Sequence, residues 1–205
     1  GDFDADGAPD LLLTGENSSW SSVTTIFKNT YASDGQFHHQ IESDDALQSY
    51  RGAGAWADAD KNGTLDFAVV GNGGLELRIN LLPSLSNTPP AAPVNLTANI
   101  SGTEVTLSWD AATDSETGSD GLSYNVFVWT ESTADIIVSP DANATTGWRR
   151  VARINGNAGL LRDSGGQRFY ILKGLILGTT YRWKVQAIDA GLTGGVWSVE
   201  GSFAP

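Results

Sequence analysis

Gly1-Asp2-Phe3-Asp4-Ala5-Asp6-Gly7-Ala8-Pro9-Asp10-Leu11-Leu12-Leu13-Thr14-Gly15 recurs as Ala57-Asp58-Ala59-Asp60-Lys61-Asn62-Gly63-Thr64-Leu65-Asp66-Phe67-Ala68-Val69-Val70-Gly71, an offset of 56 residues from Asp2 to Asp58. Each copy alternates oxygen-bearing side chains, turns at a glycine, and enters a short apolar run that a second glycine closes. Such a run reads as a buried strand. A period of this length suits one multi-strand unit per copy.

The alternation has a chemical reading. Calcium is a hard cation that takes six to eight oxygens, and a loop offering them at positions 1, 3, 5, 7 (a carbonyl) and 9 can wrap it. The first copy supplies Asp2, Asp4, Asp6, the carbonyl of Ala8, and Asp10; the second supplies Asp58, Asp60, Asn62, the carbonyl of Thr64, and Asp66. Gly7 and Gly63 follow the third ligand, where a side chain would obstruct the turn. Carboxylates this close repel one another without a cation, and the alternative is a pair of ordinary Asx-turns. Asn62 removes one negative charge, so the second site is expected to be the weaker. A helical calcium loop of the EF-hand or dockerin kind would need an acid near position 12 and an amphipathic helix; Leu13 and Val69 stand there, inside β-like runs.

Between the copies, Val23 to Lys28 alternates as a strand does, Ser33-Asp34-Gly35 signals a turn, and Phe37 to Ile41 reads as the returning strand. Leu75 to Leu81 gives one more strand. Residues 83–92, rich in proline, break all periodicity and read as a linker between a repeat region (1–82) and a second domain (93–205). In the second domain Glu104 to Trp109, Leu122 to Trp129 and Thr180 to Ile188 alternate with period two, which predicts a sandwich. The stretch from Ile136 to Arg168 has no assignment. The fold class is therefore all-β.

Composition narrows the function. A net charge of −12 argues against nucleic acid, whose binding depends on Lys and Arg releasing counterions. Acidic surface also serves solubility alone. With no Cys, a secreted chain stabilises itself by burial or by metal. No run approaches the roughly 18 apolar residues of a membrane helix. Opening without Met directly into a ligand-like motif, the chain reads as a processed or partial fragment.

Both copies resemble the FG-GAP or VCBS repeats of integrin-like β-propellers, whose loops carry a DxDxDGxxD pattern; Gly52-Ala53-Gly54-Ala55-Trp56 upstream of the second copy fits the same blade. The resemblance covers about residues 1–82. It implies a partial propeller of about two blades, calcium at both loops, and adhesive or scaffolding work outside the cell. A propeller closes with roughly four to eight blades, so the remainder lies outside this chain or another molecule covers the open edges. Residues from about 89 to 205 resemble a fibronectin type III module, an immunoglobulin-like β-sandwich. Pro93-Val94-Asn95-Leu96 would open its first strand, Trp109 would be the inward Trp of the second, Tyr124 would lie on the third, and Leu175 to Trp183 would form the tyrosine corner.

Other candidates are weaker. His38 and His39 are the only histidines, and neighbours on a strand face opposite sides, so they share no catalytic site. Arg149, Arg150 and Arg153 form a basic cluster beside Trp148, read as a solvated face or a contact for an acidic partner or a sugar. Trp20, Trp129, Trp148 and Trp197 are core residues or a carbohydrate platform. Two carboxylates could hydrolyse a glycoside, but each clustered acid already has a place in a metal loop. The chain is thus read as a non-catalytic, calcium-stabilised structural, adhesive or scaffolding protein, extracellular (secreted or cell-surface). The alternative is an accessory carbohydrate- or protein-binding region of a larger secreted enzyme. Partners expected are calcium, a protein or glycan, or a further copy at the open blade edges.

Overall fold

A computed structural model describes residues 1–29, 37–40, 52–60, 62, 64–71, 74–81, 87–150, 156–158, 163 and 166–205. The expected turn at Ser33-Asp34-Gly35 and the glycine at Gly63 lie outside these. Every regular element among the described residues is a strand. The chain divides into two units, Gly1–Asn87 with Ala190–Leu192, and Thr88–Asp189 with Thr193–Pro205. The division at Asn87–Thr88 falls inside the Pro-rich stretch 83–92.

The first unit is two three-stranded antiparallel sheets. One is β1 (Leu11–Glu16), β2 (Ser22–Asn29) and β3 (Phe37–Gln40); the other is β4 (Ala53–Ala57), β5 (Asp66–Gly71) and β6 (Gly74–Arg78). In both, each strand pairs with its neighbour in sequence, and neither sheet closes on itself among the described residues. The apolar runs after the two acidic loops become β1 and β5, as the repeat predicts. β6 stops at Arg78, short of the expected Leu81, because the Asn80 amide leaves the ladder to bond Asp66.

Pleating sends alternate residues to opposite faces, and the registers show which faces meet. Leu12 lies opposite Ile26 in the first sheet, and Trp56 opposite Phe67 in the second. These residues, with Phe3, Leu65 and Val69, make one core. Phe3 and Trp56 sit 5.8 Å apart between ring centroids, and Trp56 meets Phe67 edge-on at 5.9 Å. The approach at Gly54 is close: a Cβ would lie 2.8 Å from Leu12 Cδ2, so a larger residue would make the Leu12 side chain shift where the first sheet settles on β4.

The second unit is a sandwich. One sheet has the order β11-β8-β7 and the other β10-β9-β12-β13, with β7 at Thr97–Ser101, β8 at Glu104–Trp109, β9 at Ser123–Thr130, β10 at Ile136–Val138, β11 at Arg168–Leu172, β12 at Tyr181–Ile188 and β13 at Gly201–Phe203. The inward positions of β8, β9 and β12, among them Val105, Leu107, Trp109, Tyr124, Val126 and Trp183, fill the core. Trp109 meets Tyr124 edge-on at 5.5 Å, a geometry that adds to area burial. The Tyr181 hydroxyl accepts a hydrogen bond from the Ile176 amide at 3.0 Å, which is the expected tyrosine corner.

The unassigned stretch from Ile136 to Arg168 opens with β10 and ends at the start of β11, and side-chain amides hold described residues between them. Asn157 accepts from the Val126 amide at 2.6 Å and donates to the Val126 carbonyl at 2.7 Å, standing in for a strand partner of β9. Gln186, fully buried, donates to the carbonyls of Gly147 and Gly195 and accepts from Asn125.

Candidate functional site

The two acidic loops are built on one hydrogen-bond skeleton. In the first, Asp10 accepts from the Phe3 amide at 2.7 Å and from the Asn29 amide at 2.8 Å. In the second, Asp66 accepts from Ala59 at 2.7 Å and from Asn80 at 2.8 Å. Asp2 accepts from the Asp6 amide at 3.0 Å and Asp58 from the Asn62 amide at 3.1 Å. The Ala8 amide donates to Asp6, as the Thr64 amide does to Asn62. The described residues of both loops are therefore held alike, and the ninth-position aspartate ties the loop to the strand that returns beside it.

This skeleton gathers carboxylate oxygens of Asp2, Asp4 and Asp10 within 4.8 Å of one another, and likewise those of Asp58, Asp60 and Asp66. Asp6 and Asn62 lie at the exposed rim. Ala8 and Thr64 take part through their amides, and the Thr64 hydroxyl also donates to Asn62 at 2.6 Å. Ala5 and Gly7 adopt positive φ, 55° and 88°, so the chain turns back between Asp4 and Ala8, and glycine at position 7 bears this without strain.

The electrostatics of the first loop are those of crowded acids. Burial pushes the Asp2 carboxyl up to about 6, and the charges of Asp6 and Asp10 push the same way against the hydrogen bonds from Gly7 and Asp6. Asp10 is raised as well, first by burial, despite its two amide donors. Asp4 Oδ1 is buried and without a hydrogen-bond partner. An all-oxygen set with a raised carboxyl and an orphaned oxygen suits a hard divalent cation, which would favour the ionised form of each acid.

Sequence reasoning missed two residues. Lys28, on β2, pairs with Asp4 and lies 3.5 Å from Asp6, bringing a fixed positive charge to the first loop. At the matching place on the second hairpin stands Ile79, since Asn29 and Asn80 are equivalent donors. Asn80 is the other: its side chain bonds the Phe3 carbonyl at 2.7 Å and the Leu65 carbonyl at 3.2 Å, linking the two loops. Neither has a fixed spacing from its aspartate, so only the hairpin return reveals them.

The remaining candidates fall elsewhere. Arg149 is partly buried beside Asp141 and Asp189, so it belongs to the second unit's own charge pairing. Trp20 and Trp148 are 80% and 57% exposed. Phe127 and Trp129 stack at 4.5 Å, and the Lys184 ammonium lies 5.8 Å from both rings and 5.3 Å from that of Trp197, a cation–π cluster that covers this aromatic face. The side chains of His38 and His39 lie outside the described residues.

No curated protein matches the chain. Among solved structures, an Fn3-like protein from Clostridium thermocellum is 24% identical, with 56% of this chain and 92% of that one covered and a TM-score of 0.36. The spore cortex lytic enzyme SleM of Clostridium perfringens is 19% identical over 82% of this chain and 43% of that one, with a TM-score of 0.35. The fibronectin type III domain matches residues 91–202, the span of β7 to β12 and the start of β13. With more than half of its length in that match, the chain belongs to the fibronectin type III domain family.

Proposed function

We propose that the chain is a non-catalytic, calcium-stabilised structural or adhesive part of an extracellular protein, in which residues 1–82 are two FG-GAP/VCBS-like blades of a partial propeller and the fibronectin type III module presents or spaces them. The observation that carries this reading is the shared skeleton of the two loops, which brings three carboxylates together twice. Asp2, Asp4 and Asp10 would hold one ion, with Asp6 and the Ala8 carbonyl completing the shell; Asp58, Asp60 and Asp66 would hold the other, with Asn62 and Thr64. Calcium would neutralise the clustered acids and fix the strands that leave each loop.

Sites of the extracellular class bind at roughly 0.1 to 1 mM, which suits a compartment where free calcium is comparable. A site of about 0.1 mM affinity at about 1 mM ion gains about 1.4 kcal/mol by mass action. Calorimetric titration of the chelator-treated chain with calcium tests the reading: two bound ions per chain and a rise in melting temperature are expected. No heat and an unchanged melt would overturn it.

A protein or glycan partner, or self-association at open blade edges, accompanies this reading; a nucleic acid does not, given the net charge of −12. No helix among the described residues is long and apolar enough to cross a membrane. A second reading, an accessory binding region of a larger secreted enzyme, draws on the exposed Trp20 and Trp148. Retention on polysaccharide that is lost in Trp148→Ala would favour it.

A further inference from the structure

The 56-residue equivalence maps faces of the two sheets onto each other as well as loops. Leu12 and Thr14, on the face of β1 that settles on Gly54 of the second sheet, correspond to Ala68 and Val70 of β5. On the returning strand, Ile26 opposite Leu12 corresponds to Leu77 opposite Ala68. The first copy of this face is covered: Ile26 is 3% exposed within the core. The second copy is open, with Val70 at 49%, Leu75 at 75% and Leu77 at 53% exposure.

The opposite faces show the converse. Leu11 and Leu13 correspond to Phe67 and Val69. Phe67 and Val69 are 4% and 0% exposed because the first sheet lies on them, whereas Leu11 and Leu13 are 51% and 48% exposed. Among the described residues the two sheets thus present two different exposed apolar faces, each the counterpart of one half of the interface already present between the sheets. Side chains in a strand alternate between water and core only when one face is meant to be wet. Here the outward positions of β5 and β6 carry Ala68, Val70, Leu75 and Leu77 where polar residues would suit solvent.

We propose that the Val70/Leu75/Leu77 face docks the Leu11/Leu13 face of a second copy of this chain, repeating between molecules the packing of its own first sheet on its second. The contact is heterologous, since two different surfaces meet, so it propagates head to tail instead of stopping at a symmetric dimer. It rests on the two-repeat reading of residues 1–82 and is independent of the metal: calcium-dependent melting with a monomeric chain would defeat this inference alone.

Sedimentation velocity on the full chain tests it, in the presence of calcium and at concentrations up to about 100 µM, the range in which contacts of modest affinity populate. The wild-type chain is expected to form dimers and longer species. The variants L75D/L77D and L11D/L13D each retain one face, so each alone is monomeric, while an equimolar mixture forms a dimer and nothing larger. The uncharged pair L75S/L77S, which leaves folding less disturbed, behaves as L75D/L77D does, and circular dichroism confirms that each variant is folded. A monomeric wild-type chain, a folded variant that still self-associates, or a mixture that stays monomeric or grows beyond dimers would overturn the proposal.

Discussion

The two acidic loops share the amide bonds to their first and ninth-position aspartates, from Asp6 and Asn62, Phe3 and Ala59, and Asn29 and Asn80, and differ in charge. The first has four aspartates, Asp2, Asp4, Asp6 and Asp10, with Lys28 against two of them; the second has three, Asp58, Asp60 and Asp66, with Ile79 where the lysine would stand. Asn62 alone predicts a weaker second site. Counting Lys28 with the first loop and Lys61, which stands inside the second, the loops carry −3 and −2, so the expected order of affinity keeps its basis. Shape in these loops is set by aspartates bonding backbone, and on the proposed calcium reading affinity is left to the side chains at the rim.

The strongest way to break the equivalence is to remove a skeleton aspartate. Asp66 is fully buried and accepts from the buried Asn80 amide. Asp66→Ala removes the acceptor of both the Ala59 and Asn80 amides and should cost about 3 kcal/mol, read as a lower urea midpoint for the first unit, which calcium does not restore. Asp10→Ala should do the same to the first loop. An Asp66→Ala chain that melts as the wild type does would show that the skeleton is incidental.

A smaller effect separates the loops by pH. Because burial raises the Asp2 carboxyl to about 6 in the folded chain, above its unfolded value of about 3.9, the folded state binds its proton more tightly. That stabilisation is complete below pH 4 and is lost as pH rises through 6. The metal-free first unit should therefore weaken between about pH 4 and 6. Calcium must displace this proton, so its stabilising effect should grow across the same window. Melting curves from pH 4.5 to 7.5, with calcium and with chelator, check both trends, and Asp2→Asn should flatten the chelated series.

The finest distinction concerns the rim. Lys28→Met removes the tethered cation and should tighten calcium at the first loop by about 3-fold, in keeping with the modest worth of partly exposed ion pairs. Asn62→Asp should tighten the second by a similar factor. Calorimetry on the two variants compares them directly; a Lys28→Met chain with weakened binding would mean that the lysine orders Asp4 and Asp6 instead of competing for them.

Much of this was legible in the sequence because it is local. Alternation in Glu104 to Trp109 marks β8, and Tyr181 stands at the spacing that lets its hydroxyl reach Ile176. The donor set of each loop is contiguous, so its spacing could be read directly. The partners of the ninth-position aspartates could not, since Asn29 and Asn80 follow at unequal distances, after hairpins of different length. Nor could the described part of residues 139–158, where the amides of Asn157 and Gln186 bond backbone groups and leave no periodic pattern. Of the partial propeller of about two blades that the repeat resemblance implies, the described strands form two open three-stranded sheets.

The strand orders of the two units also bear on how the chain acquires its structure. Among the described residues of the first unit each strand pairs only with the one before or after it, so a hairpin can close as soon as a few tens of residues have left the ribosome. In the second, β8 must wait for β11, with Trp109 opposite Arg168, and nearly the whole module has to be synthesised before that pairing can start. Long-range pairing of this kind slows folding, which places the hairpins of the acidic repeats ahead of the sandwich during synthesis, with Ala190–Leu192 joining the first unit last.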